Sequence, residues 1–135
     1  MRFPIRVFTF LSVLLLTISV WARGGKGSVT FTNLGDKATV TSPLRLQFSV
    51  TGMTVKPAGQ PEKGTGHHHL IINGGPIPTG TVIPADDKHL HFGGGQTEGE
   101  IKLPPGKHTL TLQFADGVHK SYGPDWSQTL SITVK

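Results

Sequence analysis

The sequence predicts an all-β chain, arranged as an immunoglobulin-like antiparallel β-sandwich, on three observations. Apolar and polar residues alternate along several short stretches, glycine (18) and proline (10) recur between those stretches, and no segment sustains a helical period. Regular alternation between the turn residues fits a chain of tight turns better than disorder.

The elements follow in order. Val29 and Phe31, then Ala38 to Thr41, read as short strands bounded by turn residues. Leu44, Leu46, Phe48 and Val50 alternate with Arg45, Gln47 and Ser49, the period-two mark of a strand with one buried face. Pro57 to Gly66 is a loop that leads into three consecutive histidines, and His69 to Ile72 reads as the strand that follows. Leu90 to Phe92 and Ile101 to Leu103 are further short strands. Pro104-Pro105-Gly106 makes a tight turn into the strand starting near His108, where Leu110, Leu112 and Phe114 alternate with Thr109, Thr111 and Gln113. Gly117 to Ser127, carrying Tyr122 and Trp126, is a longer loop, and Leu130, Ile132 and Val134 form the last strand.

The amino-terminal segment bears on location. Arg2 and Arg6 precede a mostly apolar run from Val7 to Val20, and Val20-Trp21-Ala22 places small or aliphatic residues where a signal peptidase inspects. The run is shorter than the ~20 residues of a spanning helix, so residues 1–22 are expected to be a removed export signal. The expectation is then a single β-sandwich domain over residues 23–135, periplasmic or secreted, with no membrane span after cleavage. The formal charge of +5 loses Arg2 and Arg6 with the signal, and the mild excess that remains gives no reason to expect a nucleic-acid partner. With no cysteine there is no disulfide framework, no thiolate nucleophile and no Cys-ligated blue-copper site.

Histidine carries the chemistry. His67, His68 and His69 stand in a row, His89 and His91 form a pair, and His108 and His119 follow. In an extended chain residues i and i+2 share a side, so His67 and His69 face one way and His68 lies with Leu70 and Ile72. His89 and His91 likewise share a face opposite Leu90 and Phe92. If these two segments adjoin in one sheet, His67, His69, His89 and His91 come within reach of one ion, and neutral nitrogen donors without sulfur suit copper or zinc. His68, His108 and His119 are secondary candidates: His108 is in phase with the apolar face of its strand, and His119 sits in a turn after Asp116-Gly117. The other reading of the same rings is a hydrogen-bonded polar cluster tied to Asp86, Asp87, Glu98 or Glu100.

Enzyme signatures are scarce. There is no Gly-x-Ser-x-Gly elbow, no His-Glu-x-x-His helix, and the Gly93-Gly94-Gly95 run lacks the Lys-Ser/Thr tail of a phosphate loop. Cupins, small β-barrels with a metal site, pair His-x-His with a downstream Glu and a Pro-x-Gly turn before another His. Here no Glu follows His67-x-His69 at that distance, and Pro104 to His108 is one residue tighter, so a cupin-like barrel and metalloenzyme remains an alternative.

Three motifs in order bring the chain close to a known family. Gly64 to Ile72 with the histidine triplet, His89-Leu90-His91-Phe92 through Glu98, and Pro105 to Leu110 with Ala115-Asp116-Gly117-x-His119 resemble the bacterial family called domain of unknown function 4399. The likeness runs from about Ser42 to Val134. It implies an exported small β-sandwich and no particular activity; where the triplet is commonly followed by an acidic residue, this chain has Asn73. The expected function is therefore a histidine face that binds Cu(II) or Zn(II) with no catalytic turnover. Its rival is a metal-free module that docks on an envelope protein or a glycan through the His-rich loops and the Tyr122-Trp126 loop.

Overall fold

A computed structural model describes residues 27–135. The signal segment expected over residues 1–22 lies outside the described residues. Two sheets face each other. One holds β1 (Ser28–Phe31), β3 (Leu44–Thr51) and β7 (Glu98–Ile101) in the order β1-β3-β7. The other runs β2 (Ala38–Val40), β9 (Ser127–Val134), β8 (Gly106–Ala115), β5 (Thr65–Ile72) and β4 (Thr54–Val55), with β6 (His89–His91) pairing the same edge of β5 further along. Among the described residues the only helical element is a 3₁₀ turn at Pro124–Trp126.

Alternation places the core between the sheets. Val29, Phe31, Leu46, Phe48 and Ile101 from the smaller sheet meet Leu70, Leu110, Leu112, Phe114, Leu130, Ile132 and Val134 from the larger. Arg45 and Gln47, in the opposite phase of β3, are exposed, as a strand with one wet face requires. The fold is all-β and sandwich-like, with two qualifications to the expected antiparallel pattern: β2 pairs β9 in parallel, and β4 pairs β5 in parallel.

Three local features differ from the sequence expectation. β7 ends at Ile101, so Leu103 is buried beyond the strand, its amide donating to Ser42 Oγ at 3.0 Å. β4 has two residues, too few to show a period. β5 begins at Thr65, four residues before His69, and is buried from Thr65 to Ile71, so no wet face exists to create a polar phase.

The outward phase of β8 is also dry. Thr111 and Gln113, which alternation would place in water, are fully buried beneath the segments that follow β5 and β8. Thr111 donates through Oγ1 to Gly74 O at 2.7 Å. Gln113 accepts the Ile77 amide at 3.0 Å and donates to Gly123 O at 2.9 Å. Ser121 Oγ adds a bond to Ile77 O at 2.8 Å. These buried polar side chains, each satisfied, clamp two loops onto the outer face of the larger sheet. The clamped loops roof the face on which the histidines sit.

Candidate metal centre

The β5 triplet divides as extended geometry demands. His68 enters the core between Phe48 and Phe114, with ring centroids 4.8 and 5.0 Å away, while His67 and His69 point to the outer face. On one side β8 pairs Ala115 with His67, and on the other β6 pairs His91 with His69. Directly paired residues share a face, which places His91 beside His69. Continuing that register puts Gly93 across from His67. The His91 ring fills the space a side chain would take there: a Cβ built on Gly93 would overlap Cε1 and Nε2 of His91. Gly93→Ala is therefore expected to push His91 away from His67 and weaken metal binding about tenfold or more while leaving the melting temperature of the metal-free protein little changed; calorimetric titration and a thermal melt together check it.

His119 comes from the turn after β8. Asp116 Oδ1 accepts the amides of Val118 at 3.0 Å and Lys120 at 2.9 Å, and the Asp116 amide donates to Lys120 O at 2.9 Å. This side-chain-capped turn folds the chain back on itself. His119 takes a positive φ of 69°, and its carbonyl accepts the Ile83 amide at 2.9 Å. Gly117 lies so close to the carbonyls of Gly59 and Gln60 that a Cβ could not fit, and its own carbonyl accepts the Gly59 amide at 3.0 Å. The turn is thus held by the 57–66 loop and by the roof. Its imidazole is aimed at the end of β5.

Four rings meet as a result. His67 Nε2 lies 3.0 Å from His69 Nε2, 3.1 Å from His91 Nε2 and 3.1 Å from His119 Nδ1. One nitrogen from each of the four lies within 4.8 Å of every other. A tetrahedral ion bound at ~2.05 Å places its donor nitrogens roughly 3.3 Å apart, so the spacing around His67 is close to that of a ligand set. A neutral imidazole nitrogen carries one hydrogen or one lone pair. Along its single hydrogen or lone pair His67 Nε2 can make one directed hydrogen bond, and the other two close contacts are left without one at that atom. A shared cation satisfies all four at once.

Electrostatics favour the unprotonated form of His67, His69 and His91. Burial, followed by repulsion from His91 and His119, holds His67 at about 4 against the raising influence of Asp116. Burial, with repulsion from His67 and then from its other neighbours, takes His69 to about 3. His91 is also lowered, chiefly by burial and then by His119. These three rings are neutral near pH 7, and the four-ring group contains no carboxylate. His67 and His69 Nδ1 make no hydrogen bond, so packing between strands orients these rings where metal sites commonly use a second sphere of acceptors. His67 and His69 are closed off, His119 is half-buried and His91 is exposed, which leaves one side of the group open to solvent.

Of the four residues singled out by pattern, the structure brings together His67, His69 and His91. His89 is not in the group. It does lie on the same face, but the register pairs it with Ile71, one strand step beyond His69, and its Nδ1 stands 2.7 Å from Asp86 Oδ1. His119 takes the fourth place. The sequence signal for it was Asp116-Gly117, a turn that returns the chain to the end of β8 where Ala115 pairs with His67. His108 sits elsewhere: Nε2 donates to Pro104 O at 2.8 Å, leaving Nδ1 to accept from Asn73 Nδ2 at 3.2 Å. Tyr122 stacks on Phe114 with centroids 6.1 Å apart and donates its hydroxyl to Thr65 O at 2.6 Å, so it closes the end of the core.

Comparison with known proteins identifies a family. The family model described as domain of unknown function (DUF4399) matches residues 46–135, a span that contains all four rings and every strand from β4 to β9. No curated protein and no solved structure matches the chain.

Proposed function

We propose that this chain, which belongs to the domain of unknown function (DUF4399) family, holds one Cu(II) or Zn(II) ion on His67, His69, His91 and His119 and acts by binding that ion rather than by catalysing a reaction. The observation that carries the reading is the crowding at His67 Nε2, where three ring nitrogens lie within 3.1 Å and hydrogen bonding can serve only one. An all-nitrogen set without thiolate or carboxylate suits Cu(II) and Zn(II), and neutral rings need lose no proton to coordinate. Two donors are fixed on β5 and two stand at the open side, so the ion enters past His91 and His119. The charged and apolar pattern at the amino terminus supports export, which would expose the site to metal outside the cytoplasm.

Titration of tag-free protein with each ion tests the proposal. One equivalent bound with a dissociation constant below ~1 µM, and nitrogen hyperfine structure from imidazoles in the copper-loaded sample, are the expected results. Failure of both ions to bind would overturn it and leave the metal-free interaction module as the reading to pursue.

A further inference from the structure

A second site lies at the other end of the larger sheet, where the roof over its outer face stops. A cleft of about 560 Å³ is lined by Lys37, Asn73, Lys107, His108, Thr109 and Thr133, together with Ser131 and Ile132. We infer that it binds a small hydroxylated molecule carrying a carboxylate or phosphate group. The volume falls in the range of small-molecule sites and exceeds the needs of a bare inorganic anion.

Three observations converge on that chemistry. Lys37 and Lys107 come from segments far apart in sequence, and neither makes a salt bridge among the described residues. Register places Lys107 opposite Thr133 and Thr109 opposite Ser131, which gathers three hydroxyl side chains in the same cleft lining as the two lysines. His108 is locked as the Nε2–H tautomer by Pro104 O, and Asn73 donates one amide hydrogen to His108 Nδ1 while its Oδ1 accepts the Thr109 amide at 3.0 Å. The second Asn73 amide hydrogen remains free to donate.

Backbone conformation supplies independent support. Among the described residues three non-glycine positions have positive φ: His119 belongs to the imidazole group, and Lys37 (62°) and Asn73 (57°) both line this cleft. Each is held in its costly conformation by a backbone bond to a strand lining the cleft, Lys37 N to Ser131 O at 2.6 Å and Asn73 N to Thr109 O at 2.7 Å. Such conformations persist where neighbours over-determine them, and they gather at binding sites. The nearby carboxylate, Asp36, is engaged by the Ser131 amide at 2.8 Å and is not among the lining residues.

The test is amide NMR of metal-free protein at low salt, titrated separately with glucuronate, glucose 6-phosphate, inorganic phosphate and glucose. Saturable shifts at Asn73, Thr109 and Ser131 are expected with one or both acidic sugars, the stronger of the two naming the anionic group, and weaker ones with phosphate. Loss of a charge-assisted bond is expected to weaken binding about tenfold in Lys37→Gln and in Lys107→Gln, and by about a hundredfold in the double variant. Both side chains are exposed, so the variants' unchanged spectra elsewhere will report a native fold. No saturable shift up to about 10 mM, equal binding of neutral glucose, or undiminished binding by the double variant would overturn the inference. The site stands apart from the imidazole group, and its outcome is independent of the metal titration.

Discussion

His67→Ala is expected to lower the affinity for Zn(II) or Cu(II) by more than about a hundredfold, whereas His89→Ala changes it by less than about twofold. Loss of an outer-sphere partner alone costs 10–100-fold in typical sites, and His67 Nε2 is the one nitrogen that touches the other three. His89 has the same residue type, lies on the same face and is two residues from His91, yet it is bonded to Asp86. The pair of variants therefore separates shared geometry from mere histidine content. Because His67 is buried, His119→Ala on the half-buried turn serves as a second variant that leaves the sheets intact, with an expected loss of tenfold or more. Binding also appears as stability: an ion at a thousand times its dissociation constant adds about 4 kcal/mol, roughly 15 °C in melting temperature for a domain of this size. Equal loss in His67→Ala and His89→Ala, or none in either, would contradict the site.

Metal-free protein is expected to lose much of its stability as pH falls from 6.5 toward 3, because His67, His68 and His69 are all held low, and His68→Leu to lose about 3 kcal/mol less than the parent. His68 is fully buried, neither ring nitrogen has a partner, and burial, with repulsion from His67, holds its protonation at about 4. In the unfolded chain the ring accepts a proton near the ordinary value of 6.5. Between those two values the unfolded state carries more protons at this ring, so the His68 contribution is lost as pH falls through 6.5 and is gone below about 4. One such ring contributes about 3 kcal/mol to that loss, against a total stability of typically 5–15 kcal/mol. Leucine in this place removes the titration and two unpaired polar atoms, and should raise stability at pH 7 by about 1–3 kcal/mol. Denaturant unfolding at pH 7 and pH 4.5 for both proteins measures both effects, and a flat profile in the parent would refute the argument.

The histidines show how far pattern reaches. Alternation sent His67 and His69 one way and His68 the other, and both assignments agree with the structure because a strand's side-chain period is fixed by local geometry. The partner set was not local. Register between β5 and β6 is fixed by pairing across a gap in sequence, and a shift of one two-residue repeat would put His89 opposite His69 in place of His91, and His91 opposite His67 in place of a glycine. The cleft was less visible still. Lys37, Asn73 and Lys107 share no motif, and only the pairing of β2, β9, β8 and β5 assembles them.

Period-two apolar patterning and the abundance of turn residues were enough to determine an all-β chain, the core faces of β3, β8 and β9, and imidazole as the principal chemistry. Tertiary structure alone decided that Thr111 and Gln113 would be buried as anchors for a roof, that the Asp116 turn would carry His119 to the end of β5, and that His89 would turn to Asp86. The division follows from range. Face and period are set by the dihedral angles of each residue and can be read one segment at a time, whereas a site made of four rings depends on contacts between segments that only the packed sheets bring together.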